Sequence, residues 1–252
     1  MTAKGLPILT YHAIDSTGAV TSTEPGRFAE TLDALLGVGF RAVDLGEWVE
    51  AGRPEVDRGF ALAFDDGLRS ILGVADRLAR LAIPATVFLV ADRIGLDNAW
   101  PGQPAGIPRS PLLGRSDLES LARLGFRFGS HGRSHARLDR LSPADLRDEL
   151  ASSRDRVEQL IGRPCPLLAY PYGAADARVR AEASKVYGAA FGTRLAYASA
   201  DDDAFDIARI DAYYLRPRAA LERLTSGRWH ARLAVRRALR AVRGTVASMR
   251  SR

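Results

Sequence analysis

Short apolar runs along this chain alternate with stretches whose apolar positions recur at helical spacing. Pro7–Thr10 reads as a first strand, leading into Tyr11 and His12. Phe28, Leu32 and Leu35 or Leu36 then share one helical face, closed by Gly37 and Gly39. Phe40–Leu45 reads as a short strand. The run Ala61-Leu62-Ala63-Phe64 stops abruptly at Asp65-Asp66-Gly67, after which Leu68, Leu72, Ala75, Leu78 and Leu81 keep helical spacing up to Pro84. Ala85–Val90 is a continuous apolar run, the pattern of a strand buried on both faces. Glycines and prolines break the pattern over Asp92–Leu113, a loop long enough to face a substrate.

Periodicity returns at Ser116, an N-cap for a helix through Leu118, Leu121 and Leu124, and Phe126–Ser130 is the next strand, ending at His131. Ser142-Pro143 opens a long amphipathic helix on Leu146, Leu150, Val157, Leu160 and Ile161. A strand over Pro166–Tyr172, a helix over Asp176–Tyr187, a strand over Ala189–Thr193 and a last strand over Ile207–Tyr214 follow. This alternation predicts an α/β fold with a parallel sheet, either a barrel or a doubly wound layer. No glycine-rich phosphate fingerprint follows the first strand, which favours the (β/α) barrel.

Composition bounds this picture without redirecting it. A chain of 252 residues, 46% hydrophobic and 26% charged, fits one barrel-sized domain or two small ones. No apolar run approaches the ~20 residues of a membrane span. Met1–Thr10 is too weakly apolar for a signal peptide, so the expected compartment is cytoplasmic. The single cysteine, Cys165, excludes an internal disulfide and lies between two prolines with no adjacent base, so it is expected to be inert packing.

Charge is distributed unevenly. Tyr214–Arg252 holds eleven arginines against one acid, a net +10, which leaves −4 for the remainder of a chain whose total is +6. A domain-wide nucleic-acid surface is therefore not expected. The expected organisation is a barrel over residues 1–215 and a basic helical tail over 216–252. Val235, Leu239, Val242, Val246 and Met249 form an apolar stripe there, flanked by Arg232, Arg236, Arg240 and Arg243. Such a basic amphipathic helix either lies on an anionic membrane surface, as a peripheral attachment, or folds back onto the barrel.

The candidate chemistry sits at strand ends, which in a barrel converge on one face. Asp65 and Asp66 end one strand, His131 begins the turn after another with His135 four positions on, and Tyr170-Pro171-Tyr172-Gly173 ends a third. Taken singly, these are equally a pair of helix caps, two surface histidines and an ordinary turn. Taken together, one carboxylate and two imidazoles make a three-ligand set with room for water, the usual set for catalytic zinc and acceptable to other divalent ions. Gly132 stands where a His-Glu-x-x-His motif needs its glutamate, so the general base must come from elsewhere. Asp65, beside the ligand Asp66, is the supplier.

Phe64-Asp65-Asp66-Gly67, Ser130-His131-Gly132-Arg133-Ser134-His135 and Tyr170-Pro171-Tyr172-Gly173 resemble the successive motifs of the polysaccharide deacetylase family, carbohydrate esterase family four. Tyr11-His12-Ala13-Ile14 is similar to the start of many members, and the resemblance runs over roughly residues 5–215. It implies a distorted, incomplete (β/α) TIM-like barrel carrying a metal-dependent hydrolase that removes N-acetyl groups from a sugar or polysaccharide. It also implies Asp65 as base, Asp66, His131 and His135 as ligands of a divalent metal, zinc foremost, and the Tyr172 backbone N–H as oxyanion donor. Tyr170 and Pro171 fall on the substrate side of the same motif.

Two departures from the family pattern need substitutes. Where members often carry an arginine, three positions before the tyrosine, this chain has Ala169, and Arg209 is expected to reach Asp65 from the last strand. The late histidine motif is not clear, and His12 is expected to be the general acid in preference to His230. A rival within enzymes is deacetylation or deformylation of a lipid-linked amino sugar at the membrane surface. A rival of another class is a non-catalytic sugar-binding or membrane-docking module on the same barrel.

Overall fold

The structure, a computed structural model, describes residues 5–216 and 218–225. The apolar stripe Val235–Met249 and His230 lie outside the described residues. The chain opens with β1 (Ile8–Tyr11), makes an excursion through β2 (Ala13–Ile14) and β3 (Ser22–Thr23), and enters α1 (Pro25–Gly37). β4 (Arg41–Ala42) and α2 (Leu45–Glu50) precede β5 (Gly59–Phe64) and α3 (Leu72–Arg80). β6 (Ala85–Leu89), α4 (Arg115–Arg123), β7 (Arg127–Ser130) and α5 (Pro143–Ile161) follow. β8 (Leu167–Ala169), α6 (Ala177–Ala183), β9 (Ala189–Leu195), β10 (Ile207–Asp211) and α7 (Arg218–Thr225) complete the described chain.

Seven of the strands, all parallel, close into a barrel in the order β1-β10-β9-β8-β7-β6-β5, with β5 pairing back onto β1. β4 extends the lower edge of β5 through Arg41 opposite Gly59 and Ala42 opposite Phe60. The expected (β/α) barrel is therefore present, one strand short of the usual eight. Among the described residues, no helix is long and apolar enough to cross a membrane.

Alternation along β5 separates two cores. Phe60, Leu62 and Phe64 face outward and pack with Phe28, Leu32 and Leu35 of α1 and Leu78 of α3. Ala61 and Ala63 face inward, with Ile8, Phe88, Leu167, Ala169, Phe191 and Ile207. The small inward residues make room for Phe88 and Phe191, whose ring centroids lie 5.5 Å apart across the barrel axis. Gly129 belongs to the same device, since a Cβ there would stand 2.6 Å from the Phe88 ring. Each buried phenylalanine contributes roughly 1.5–3 kcal/mol through removal from water.

Several boundaries differ from the sequence reading, each for a local reason. The strand expected over Phe40–Leu45 shrinks to Arg41–Ala42 because Asp44 caps a helix, its Oδ1 accepting from Gly46 N at 2.9 Å and Glu47 N at 3.0 Å. That helix, α2, brings Leu45 and Trp48 into the inner core beside Leu6 and Ala198. The N-cap of α4 is Gly114 rather than Ser116, and its N–H is bound by Asp117 Oδ2 at 3.0 Å. The strand expected over Pro166–Tyr172 holds only Leu167–Ala169, because Pro171 has no N–H to continue the ladder and a tight turn, Pro171–Gly173, takes over. The last strand stops at Asp211, whose carboxylate accepts from Tyr213 N at 2.8 Å and starts a turn over Ala212–Leu215. Beyond it, α7 packs Ala220 and Leu224 into the outer core.

Cys165 is buried, and burial pushes its thiol up to about 12. At pH 8 only about one such thiol in ten thousand is ionised. The native chain should therefore stay unlabelled by iodoacetamide at pH 8 and label stoichiometrically in denaturant, as read by intact mass. Equal labelling rates in both states would contradict the burial.

Candidate functional site

Three candidate segments begin one rung beyond a barrel strand. Asp65 N donates to Tyr11 O at 2.9 Å, His131 N to Leu89 O at 2.7 Å and Tyr170 N to Phe191 O at 3.1 Å. These bonds extend the ladders past the strand ends and hold all three segments at one mouth of the barrel. A cavity of about 370 Å³ opens there, lined by His12, Asp65, Asp66, His131, His135, Tyr172 and Arg209, among others. Its size lies near the lower end of the range typical of small-molecule sites.

The chain turns sharply after β5 because Asp66 and Gly67 both adopt φ of 69°. This sends the two neighbouring carboxylates in different directions. Asp65, 4% exposed, meets Arg209, also 4% exposed, in a bidentate pair with Nη1–Oδ1 at 2.7 Å and Nη2–Oδ2 at 2.9 Å. Arg209 is held in turn by its Nε donating to Gly192 O at 3.1 Å and by its guanidinium 5.7 Å above the Phe88 ring. Burial pushes the Asp65 carboxyl upward, but Arg209, aided by His131, more than offsets it and holds the group below the usual carboxylate range. The expected contact between Arg209 and Asp65 is thus in place.

Asp66 faces the two histidines. Its Oδ1 lies 3.4 Å from His131 Nε2 and 3.2 Å from His135 Nε2, and one ligand atom from each of the three residues falls within 4.8 Å of the others. Both separations are those of ion pairs, and Asp66 Oδ1 is buried with no hydrogen-bond partner. Burial pushes Asp66 up, yet the facing imidazoles hold it well below the carboxylate range. For His131, burial pulls the imidazole down, but the Asp65 and Asp66 carboxylates outweigh it and raise it; for His135, burial prevails and lowers it. His131 Nδ1 donates to Ala169 O at 2.8 Å, which turns the Nε2 lone pair toward Asp66. A buried oxygen with no hydrogen-bond partner beside two imidazole nitrogens is the donor set of a divalent cation, and these three residues fit one.

The remaining expected residues fall into two groups. His12 lines the cavity, and Tyr172, with φ of 59°, sets its ring 4.6 Å from that of His135. Tyr170 also lines it, although its hydroxyl is bound to Phe205 O at 3.0 Å. Pro171 is not among the lining residues; its ring packs behind, against Gly132.

Other contributors escaped the sequence reading. Trp100, buried in the Asp92–Leu113 loop, stacks on His135 with centroids 4.1 Å apart. A lone tryptophan among glycines and prolines was the available signal. Thr10, Asp211, Tyr213 and Tyr214 form the wall opposite. Arg216 fastens that wall, donating to the carbonyls of Ala19, Val20 and Ser22, each at 2.9 Å, while lying 4.8 Å over the Tyr213 ring. Glu149 is buried behind the histidine turn, and the signal for it was an acid on the apolar face between Leu146 and Leu150.

Solved structures share this architecture. BA0330 from Bacillus anthracis superposes with a TM-score of 0.69 at 22% identity, covering 83% of this chain and 65% of its own, so this chain spans somewhat under two thirds of that protein. IcaB from Ammonifex degensii gives 0.72 at 20% identity, covering 90% of this chain and 97% of its own. The deacetylase PplD from Streptococcus pyogenes, in complex with acetate, gives 0.70 at 21%, covering 84% and 93%. At these identities the likeness establishes the fold. None of the curated proteins compared matches this chain. The sequence profile described as "Polysaccharide deacetylase" matches residues 52–189, more than half of the chain, and runs through both the Asp65-Asp66 strand end and the His131–His135 turn. On that match the chain belongs to the polysaccharide deacetylase family.

Proposed function

We propose that this chain hydrolyses the N-acetyl group of an amino-sugar unit in an acetylated carbohydrate, using a divalent cation, zinc foremost, held by Asp66, His131 and His135. The observation that carries the reading is the buried, donor-free Asp66 Oδ1 facing two imidazoles, next to a carboxylate already neutralised by Arg209. When bound, the cation supplies Lewis acidity and lowers the pKa of a water within its reach from about 16 to about 7.

Asp65 is the proton acceptor. From free water to an ordinary carboxylate near ~4, the transfer is uphill by about 12 units, roughly 16 kcal/mol. With the water at ~7 the gap to an ordinary carboxylate shrinks to about 3 units, roughly 4 kcal/mol, and Arg209, by holding Asp65 lower, widens it. Arg209 keeps Asp65 ionised and fixes its plane. As the water oxygen joins the acetyl carbon, the Tyr172 N–H donates to the carbonyl oxygen that gains charge, a contact worth about 3–4 kcal/mol in such sites. His12 gives a proton to the nitrogen as the C–N bond breaks, and acetate and the free amine leave. PplD, of the same fold, was captured with acetate, the acid this reaction would release.

Assay of a panel of N-acetylated and N-formylated amino sugars, free, oligomeric and lipid-linked, should show acetate release that chelator abolishes and zinc restores. Formate from lipid-linked sugars without acetate would move the reading to a deformylase. Neither acid, with no metal bound, would leave a non-catalytic module.

Arg209→Ala strands a buried carboxylate, so about 3–5 kcal/mol of stability should go, with turnover down at least tenfold. Arg209→Lys, which keeps charge but not the fork, should fall between. Undiminished turnover and folding in Arg209→Ala would remove the assigned role. For His12→Asn, one limb of the pH–rate profile should vanish, whereas His230→Asn should leave both limbs intact; the reverse would transfer the proton-donor role.

A further inference from the structure

The two candidate metal-binding histidines are secured differently. His131 is oriented by a hydrogen bond from Nδ1 to Ala169 O. Nδ1 of His135 is buried and has no hydrogen-bond partner. A ligating histidine normally donates its second nitrogen to an outer partner that fixes the ring. His135 lacks that restraint, so its placement depends on the stack with Trp100 and on its own backbone, which sits at φ of 64°. A non-glycine residue stays in that left-handed conformation only where its surroundings enforce it.

The enforcing contact comes from α5. Glu149, 3% exposed, accepts from Ser134 N at 2.7 Å. The Ser134 hydroxyl adds bonds to Oε1 at 3.0 Å and Oε2 at 3.1 Å. Ser134 immediately precedes His135, so these bonds pin the peptide from which the strained residue departs. On the other side of the turn, a Cβ at Gly132 would lie 3.2 Å from Glu149 Oε1, so the carboxylate is pressed against the backbone there too. Arg133 Nε stands 3.5 Å from Glu149 Oε2 and supplies a counter-charge. The outer face of the turn is tied down by Ala91 N to Gly132 O at 3.1 Å and Asp92 N to Arg133 O at 2.9 Å. A carboxylate taken out of water this completely is costly unless several donors hold it, and here they all belong to the histidine turn.

We infer that Glu149 is a positioning residue for the metal site: through Ser134 it sets the backbone that aims His135 at Asp66, the task that a hydrogen bond to Ala169 performs for His131. This rests on the metal-site reading given above. Glu149 is not among the residues that line the cavity, so its loss should act on metal affinity first and on turnover only through it.

The test measures zinc affinity of the full chain by competition with a chromophoric chelator, alongside metal-free thermal stability and activity against added zinc. Glu149→Ala should bind zinc about 10–100-fold more weakly, the range seen for lost outer partners, with turnover largely recovered at saturating zinc. Glu149→Gln, which still accepts from Ser134 N, should stay within about threefold of the parent. A folded Glu149→Ala with parental zinc affinity would overturn the inference, whatever its melting temperature. If Glu149→Ala does not fold, Glu149→Asp, one methylene too short to hold the bond from Ser134 N, decides: weaker zinc binding supports the inference and unchanged binding overturns it. A parent chain that takes up no zinc would remove the metal reading itself and this inference with it. Parental binding matched by the variants removes the inference alone.

Discussion

Two carboxylates adjacent in the chain and both buried cannot remain charged together unless each has a cation of its own. The site is arranged around that constraint. Asp65 takes the whole guanidinium of Arg209, both oxygens engaged. Asp66 is left with two imidazoles and with an oxygen that has no hydrogen-bond partner. One acid is thereby neutralised by the protein and the other is kept for a cation from outside. A buried ion pair of this sort adds little net stability, because desolvation consumes most of the attraction, but it holds a side chain in one orientation.

The rest of the barrel makes that separation geometrically available. Small inward residues on β5 and β8 admit Phe88 and Phe191, which seal the barrel interior beneath the mouth and give Arg209 an apolar floor. Above this floor the site's charged groups are buried and act strongly on one another. Three site residues, Asp66, His135 and Tyr172, take left-handed backbone conformations, and each lies in a turn with a glycine that does the same. Strain concentrated at a functional mouth is tolerated because packed elements behind it leave no other conformation. Glu149 behind the histidine turn and Thr193, crowded against Gly173, are two such supports.

Much of this was legible in the residues. The apolar run ending in Asp65-Asp66-Gly67, the His131–His135 spacing and the Tyr170–Gly173 turn were visible because each interrupts a hydrophobic pattern with polar residues. What went unread was information carried by single side chains with two uses. Asp44 ended a strand that its apolar neighbours seemed to continue, because capping two N–H groups outweighs β propensity over so short a run. Trp100 gave no clue to its partner, since a loop has no period from which to infer a face.

The sequence by itself determined the alternation of strand and helix, the parallel barrel that follows from it, and the identity of the polar groups at each strand end. Periodicity and chemical type are local properties, carried by neighbours a few residues apart. Only the tertiary structure decided which of these groups meet. Arg209 and Asp65 are separated by 144 positions, and both Arg209 and His12 fall outside the residues that match the family profile, so no local pattern links them. Closure of β5 onto β1, with β10 on the other side of β1, makes them neighbours, because parallel register sets the strand ends side by side wherever their residues lie in the chain.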